Sequence, residues 1–397
     1  MGIRETDRMY ILYTYAFGVR IHKCCYKKMK HMTCTKESSV NILIQPTDSC
    51  NMDCLYCYKG DKLSNFMTEE LMLQILSESI SYNSNRNNPT LFIWHGGEPS
   101  ILPTKFYHKA FEFTSNNFKG QKITHTIQTN GFRLRDDLMD LCLINNVSIS
   151  ISLDGPAHYH DRIRFTKDGK GTHDSIMKNI EKAKKKGLEL GILMSITNDN
   201  LMYIRDMFDF CKQNGFSFGI NPITSDLFSK HDGLEVTPEK YLQACIEVYD
   251  LWFNQKDNLI RVNPGFGITQ LILSQNRISD CFLSENCQMT FISIDSKGNV
   301  YPCNRFDNNE QYKFGNINEQ KLEEIMKSPI RIKLLKRSAE YISKCQNCKI
   351  RKYCNGGCMH HAISHFNELN APDHLCDVYI GLIEHAMMQL NKSLTFN

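Results

Sequence analysis

No uncharged run in the 397 residues approaches the ~20 residues needed to cross a bilayer. No small-residue cleavage site follows the tyrosine-rich start from Tyr10 to Phe17. A membrane-spanning protein and a secreted precursor are therefore excluded as readings, and a cytoplasmic location is expected. Charge of one sign is equally scarce. The formal net charge is +4 over the whole chain, too slight to argue for a nucleic-acid partner. The local excess at Lys23, Lys27, Lys28, Lys30 and Lys36 reads as a solvated face. There is no low-complexity linker and no internal repeat longer than a strand-helix unit. At this length the chain has room for two or three modules with a substantial core.

Cysteine, by contrast, is abundant at 17, while apolar content is 41% and charged content 23%. Those last two values belong to an ordinary globular protein, not to a small secreted disulfide scaffold. An odd number of unevenly clustered cysteines points to metal ligation, which a reducing cytoplasm permits because thiolates persist there.

From residue 41 to 222 short β-rich apolar runs alternate with amphipathic helical ones, the pattern of a parallel sheet wrapped by helices. Strands are expected at Asn41–Pro46, Thr90–His95, Ile123–Thr129, Val147–Leu153, Leu188–Ile196 and Phe216–Asn221. Helices are expected from Thr68, where Thr-Glu-Glu reads as a capped start, and from Asp174 through Lys184, Lys185 and Lys186 to a stop at Gly187. A further helix from Thr237 to Asn254 bridges to a cysteine-dense region, and a last one follows Val378. The expected divisions are an N-terminal extension (1–40), a partial barrel (41–235), a bridging segment (236–275), a cysteine-rich domain (276–380) and a terminal helix and tail (381–397).

The loop after the first strand carries Cys50, Cys54 and Cys57 as C-x3-C-x2-C, one thiolate short of a closed four-ligand site. Structural zinc and electron-transfer iron-sulfur centres take four protein ligands, whereas a [4Fe-4S] cluster held by three leaves one iron open to a small molecule. A zinc knuckle completed by a nearby His, or three unrelated buried cysteines, are the alternatives. The second strand runs into Trp94-His95-Gly96-Gly97-Glu98-Pro99, the third into Asn130-Gly131 and the fourth into Ser152-Leu153-Asp154-Gly155. In barrels of this type, loops at the carboxyl ends of strands carry the chemistry, so all four motifs gather at one mouth. After residue 276 the order is Cys281-x5-Cys287-x15-Cys303, then Cys345-x2-Cys348-x5-Cys354-x3-Cys358-x17-Cys376, two complete sets of four.

These motifs, in this order over residues 41 to 380, resemble the radical SAM superfamily with a C-terminal SPASM extension. The resemblance implies an open (β/α)6 TIM-type barrel followed by a cysteine-rich domain with two auxiliary clusters, three [4Fe-4S] clusters in all. It implies that the open iron held by Cys50, Cys54 and Cys57 chelates S-adenosylmethionine, which is cleaved reductively to a 5'-deoxyadenosyl radical. The backbone of Gly96 and Gly97 and the Glu98 carboxylate would receive the methionine ammonium. Tyr56 would lie beside adenine, Ser152 and Asp154 would meet ribose or methionine, and Arg164 the methionine carboxylate. Arg162 competes in sequence with Arg164, and Asn130 is also explained by turn chemistry. The first auxiliary cluster would take Cys281, Cys287, Cys303 and Cys358, the second Cys345, Cys348, Cys354 and Cys376. A pair of four-cysteine zinc sites is the alternative. Cys24, Cys25, Cys34, Cys142, Cys211 and Cys245 fall outside the pattern and read as buried hydrophobes.

Two groups within the family compete. Anaerobic sulfatase maturases share the cysteine layout and oxidise Cys or Ser to formylglycine with an Asp directly after the cysteine matched by Cys303. Here that residue is Asn304, which cannot take a proton. Asp307 lies nearby. The string Pro302-Cys303-Asn304-Arg305-Phe306 looks more like enzymes that cross-link ribosomally made precursor peptides, with a flavodoxin- or ferredoxin-type electron donor. Forty residues before the first strand are too few for a separate leader-binding domain, so the leader is expected to dock on the barrel, on Tyr10–Phe17 or through another protein. Alternatively, Tyr10–Phe17 is an edge strand closing one end of the sheet.

Overall fold

A computed structural model describes residues 39–59, 64–227, 233–255, 260–274, 281–284 and 286–395. The readings placed on Tyr10–Phe17, on the lysine cluster and on Cys24, Cys25 and Cys34 lie outside the described residues. Six parallel strands with helices between them form the first part. In chain order they are β1 (Asn41–Ile44), α1 (Glu69–Ser84), β2 (Thr90–Trp94), α2 (Thr104–Asn117), β3 (Ile123–Thr129), α3 (Asp136–Ile144), β4 (Ser148–Ser152), α4 (Ala157–Ile163) and α5 (His173–Lys186). Then come β5 (Leu190–Ile196), α6 (Ile204–Asn214) and β6 (Phe218–Pro222).

Every expected strand is present, and three of them begin later than expected for one shared reason. Val147, Leu188 and Phe216 are apolar and fit a strand start. Each instead follows a left-handed residue, Asn146 (φ 52°), Gly187 (φ 85°) and, before Phe216, Gly215 (φ 65°). For Leu188 and Phe216 one of these glycines is the helix cap itself or its neighbour, and in all three the backbone N–H donates to a carbonyl five residues back: Cys142, Ala183 and Cys211. These residues therefore close the preceding helix with a buried apolar contact before the strand begins. The helix starts follow the capping logic more closely, since the Thr68 and Thr237 hydroxyls accept from Leu71 N and Lys240 N.

The strands alternate. Phe92 and Trp94 of β2, Ile127 of β3 and Ile149 and Ile151 of β4 are buried in one continuous core with the helices. The opposite face carries Ile93, Thr126, Gln128, Ser150, Ser152, Leu193 and Ser195, aligned by register (Gln128↔Ser150, Ser152↔Leu193) and only partly buried. That half-open, largely polar inner face is the interior of the barrel.

The second part consists of α7 (Pro238–Phe253), β7 (Val262–Asn263), α8 (Gly265–Ser274), β8 (Phe291–Ile294), β9 (Asn299–Tyr301), β10 (Gly315–Asn316), α9 (Leu322–Ile325), α10 (Pro329–Leu335), α11 (Met359–Phe366) and α12 (Cys376–Thr395). It does not stand apart from the sheet. Strand β8 pairs in parallel with β1, from Asn41↔Phe291 to Ile44↔Ile294, and the ten-stranded order is β10-β9-β8-β1-β2-β3-β4-β5-β6-β7. Helix α12 starts at Cys376, ahead of the expected start after Val378. The turn at Asp373 begins it, with Cys376 N donating to Asp373 O and Leu375 N to the Asp373 carboxylate. No helix among the described residues is long and apolar enough to cross a membrane.

Candidate active site and iron-sulfur centres

The cysteine loop follows β1 and is tied down by backbone bonds to the segment after α4. Asp53 N donates to Phe165 O (2.8 Å) and Leu55 N to Ile163 O (3.1 Å). Cys50, Cys54 and Cys57 are all partly exposed, and no described cysteine is in a disulfide. Asn130, at the end of β3, donates its side-chain amide to Asn51 (2.8 Å) and lies 3.8 Å from the Cys50 sulfur. Its placement against the cysteine loop goes beyond turn chemistry.

The glycines of the Gly96-Gly97-Glu98 turn serve a close approach, but to the chain itself. A Cβ on Gly96 would lie 2.6 Å from Thr47 O, and one on Gly97 2.2 Å from Ser49 O. The turn therefore packs its backbone directly on the start of the cysteine loop. Glu98 differs from its expected posture. It is 1% exposed, and its carboxylate accepts from Ser100 N (2.8 Å), the Thr129 hydroxyl (2.5 Å) and Asn130 N (2.7 Å). Its side chain is turned into the scaffold, where it fixes the end of β3, and the N–H groups of Gly96, Gly97 and Glu98 are likewise bonded within the chain, to His95 Nδ1, Thr47 O and Ser49 O. His95 beside it is kept neutral: burial, together with the Lys59 charge, pushes its pKa down to about 4.

Tyr56, Asp154 and Arg164 converge as a buried trio from three separate segments. The Tyr56 hydroxyl donates to Asp154 Oδ2 (2.5 Å) and receives Arg164 Nη1, while Arg164 and Asp154 approach to 3.8 Å. Asp154 also accepts from Ser195 N (2.8 Å), which ties β4 to β5. Burial raises the carboxyl pKa of Asp154 against the lowering effect of the Arg164 charge. Arg162 is exposed, so of the two arginines only Arg164 reaches the interior. Ser152 is on the inner face and accepts from Gln128 Nε2 (3.2 Å).

Where the cysteine loop meets the second part, a polar group appears that sequence reasoning missed. Lys59 bridges Asp48 (3.0 Å) and Asp307 (3.4 Å), and the Asn304 amide donates to the Tyr58 hydroxyl (2.5 Å). Tyr58 and Lys59 directly follow Cys57, so proximity to the motif was their only signal. Farther in, Arg305 donates to Asp226 (3.1 Å) and to Thr224 (3.1 Å), and His361 pairs with Asp373 (2.9 Å).

After residue 276, the charges of Cys358, Cys287 and Cys281 act on Cys303, those of Cys354 and Cys345 on Cys376, and that of Cys348 on Cys345. The loop from Cys354 to Cys358 joins these two neighbourhoods. Among the described residues, no three His, Cys, Asp or Glu side chains stand at distances that would hold a single metal ion.

Residues 44–211 match the radical SAM superfamily model, and residues 281–349 match that of the SPASM iron-sulfur cluster-binding domain. The chain carries a radical SAM domain followed by a SPASM domain. It is similar to the cysteine-type anaerobic sulfatase-maturating enzyme of Clostridium novyi, with 28% identity over 89% of this chain and 96% of that one. The serine-type anaerobic sulfatase-maturating enzyme of Bacteroides thetaiotaomicron is 27% identical over 87% and 88%. Native anSMEcpe with bound AdoMet and Cp18Cys peptide has the same fold, with a TM-score of 0.80 at 22% identity over 90% of this chain and 99% of that one. Streptococcus suis SuiB bound to precursor peptide SuiA follows at 0.65, with 18% identity over 89% and 78%.

The SPASM thiols fit a polynuclear cationic group. Burial raises the Cys303 pKa well above that of an ordinary thiol, and the neighbouring Cys358, Cys287 and Cys281 raise it further. Cys358 and Cys376 are pushed up to about 12 and Cys354 to about 11, with burial the first cause in each. Clustered thiols largely shielded from water are unfavourable as thiolates until bonds to metal replace their protons. Cys142, Cys211 and Cys245 are also buried with raised pKa, but in the helical core away from either set, where they pack as small hydrophobes.

Proposed function

We propose that this chain is a radical SAM/SPASM maturase that oxidises a side chain of a ribosomally made peptide and closes a side-chain cross-link. Cys50, Cys54 and Cys57 would hold a [4Fe-4S] group whose open iron takes S-adenosylmethionine, a pair that supplies a carbon-centred radical for hydrogen abstraction when reduced. The two SPASM quartets would each hold a further [4Fe-4S] group with no open iron, which suits electron transfer. An acidic flavodoxin or ferredoxin would supply the electrons.

The chain's own residues position and enclose. Tyr56, Asp154 and Arg164 form a buried bonded group, and a guanidinium of this kind would supply the donors that a carboxylate-bearing ligand needs. Gln128, Ser150 and Ser152 line the inner face with hydrogen-bonding groups. Holding the target C–H at one position is the principal work left to the protein.

The observation that carries the cross-linking reading is Asn304. In sulfatase maturases the residue after the cysteine matched by Cys303 is expected to be a carboxylate base. Here an amide stands there, and its N–H is committed to the Tyr58 hydroxyl. Formylglycine formation is the second reading, favoured by nearly full-length similarity to sulfatase maturases and by the buried Asp307 close by.

Incubation with candidate peptides from neighbouring reading frames, followed by fragmentation and intact mass, tests this. A loss of two hydrogens with no aldehyde captured by a hydrazide reagent supports the cross-link. Hydrazide capture of the product supports formylglycine and refutes it.

A further inference from the structure

Arg337 is a buried cation. It is 4% exposed and sits just past α10, in a lysine-rich stretch that reads as solvent-facing. Its guanidinium donates to three backbone carbonyls, those of Leu369, Ala371 (2.8 Å) and Gly356 (2.5 Å). Gly356 is midway between Cys354 and Cys358, on the loop that passes from the second quartet to the first. The Arg337 carbonyl in turn accepts from the side chain of Asn286 (3.1 Å), the residue before Cys287. The charges of Asp373, Cys358, Cys287 and Cys345 all act on the guanidinium, and these include members of both proposed quartets. Asp373 is itself occupied, accepting from Cys358 N (2.5 Å), Leu375 N (2.8 Å), His361 (2.9 Å) and Tyr379 (3.1 Å).

Burying an arginine is costly unless it is paired and hydrogen-bonded. Three carbonyls alone could be satisfied by a neutral donor; Asp373, which also pairs with His361, balances the charge in part, and the other charges that act on it belong to cysteines of both quartets. Negative charge accumulates on both sides of it. Two sets of four thiolates and their added electrons would otherwise repel across a low-dielectric gap.

We infer that Arg337 is a positive charge shared by the two auxiliary iron-sulfur sites, which raises the reduction potentials of both and holds the crossing loop between them. This rests on the reading that the quartets hold clusters. Arg337 acts through those sites, as a positioning residue, and touches neither substrate nor S-adenosylmethionine.

The test is a dithionite titration of the anaerobically reconstituted full-length protein, followed by electron paramagnetic resonance, for wild type, Arg337→Gln and Arg337→Lys. Glutamine can still donate to a carbonyl but carries no charge. It should lower both auxiliary potentials by at least a tenfold change in the oxidised-to-reduced ratio, about 59 mV for one electron. Lysine should leave both near wild type. An unchanged potential at either site in Arg337→Gln, with iron fully retained, overturns the inference while sparing the cluster reading, as does an equal shift in Arg337→Lys. If Arg337→Gln fails to take up iron, Arg337→Lys decides: restored iron and potentials support the charge, and failure overturns it. A wild type with only about four irons per chain removes the cluster reading and the inference with it.

Discussion

The Lys59 ammonium lies 3.4 Å from the Asp307 carboxylate, so a residue of the cysteine loop is paired with one from the SPASM domain inside the protein. Asp48 holds the same ammonium from the other side at 3.0 Å. Burial dominates at Asp307 and pushes its carboxyl up to about 7, even though Lys59 pulls it down. The folded pKa is above the usual value of 3.8, so the protonated form is the one that folding favours. Its contribution is fully present below 3.8 and is lost as pH rises towards about 7. In melting temperatures measured from pH 4 to 7, Asp307→Asn should therefore lose less stability than wild type across this window. Parallel profiles would contradict the assignment.

Arg164 and Arg162 should separate cleanly. Arg164→Ala strands the buried Asp154 carboxylate and should cost roughly 3–5 kcal/mol in denaturant unfolding. Arg162→Ala, at an exposed position, should stay within ~0.5 kcal/mol. Tyr56→Phe removes the hydroxyl between Asp154 and Arg164 and should cost roughly 1–3 kcal/mol. Calorimetric titration with S-adenosylmethionine should show weaker binding for both Arg164→Ala and Tyr56→Phe and none of this for Arg162→Ala.

Glu98→Ala leaves three buried donors without an acceptor and should destabilise the protein by more than about 3 kcal/mol. Glu98→Gln keeps one acceptor oxygen and should fall in between. Equal stability of all three proteins in urea would show that the carboxylate has no scaffold role.

Cys345→Ala would remove one of the proposed ligands of the second quartet and leave Cys50, Cys54 and Cys57 in place. Chromatography should find part of the 5'-deoxyadenosine yield retained and the peptide product absent. Full product formation would exclude electron transfer through the second quartet.

The parts of this architecture carried by local chemistry were readable from the chain. Alternating runs located six strands, and glycine and threonine caps located helix ends; the division of the later cysteines into two quartets rests on the family resemblance and not on spacing. Features made by long-range contact were not. Phe291–Ile294 is a four-residue run whose parallel partner lies some 250 positions earlier, so nothing local announces that β8 extends the barrel sheet. Glu98 matched a motif, yet its carboxylate faces inward because Thr129 and Asn130 offer donors that only the folded chain brings near. Arg337 follows Lys333 and Lys336, and composition alone reads such a stretch as solvated; its burial depends on the carbonyls of Gly356, Leu369 and Ala371, on either side of α11, closing over it. Asp307 was noted as a neighbour of Asn304, but its pairing with Lys59 required the join between β1 and β8.

A cluster anchored by Cys50, Cys54 and Cys57 would leave one iron for S-adenosylmethionine. Its most direct test measures 5'-deoxyadenosine released by anaerobically reconstituted protein with dithionite and S-adenosylmethionine, set against Cys50→Ala. Wild type carrying about twelve irons per chain should release it, and the variant none. Iron-replete wild type that releases no 5'-deoxyadenosine, or zinc in place of iron at the three cysteines, would contradict this cluster assignment.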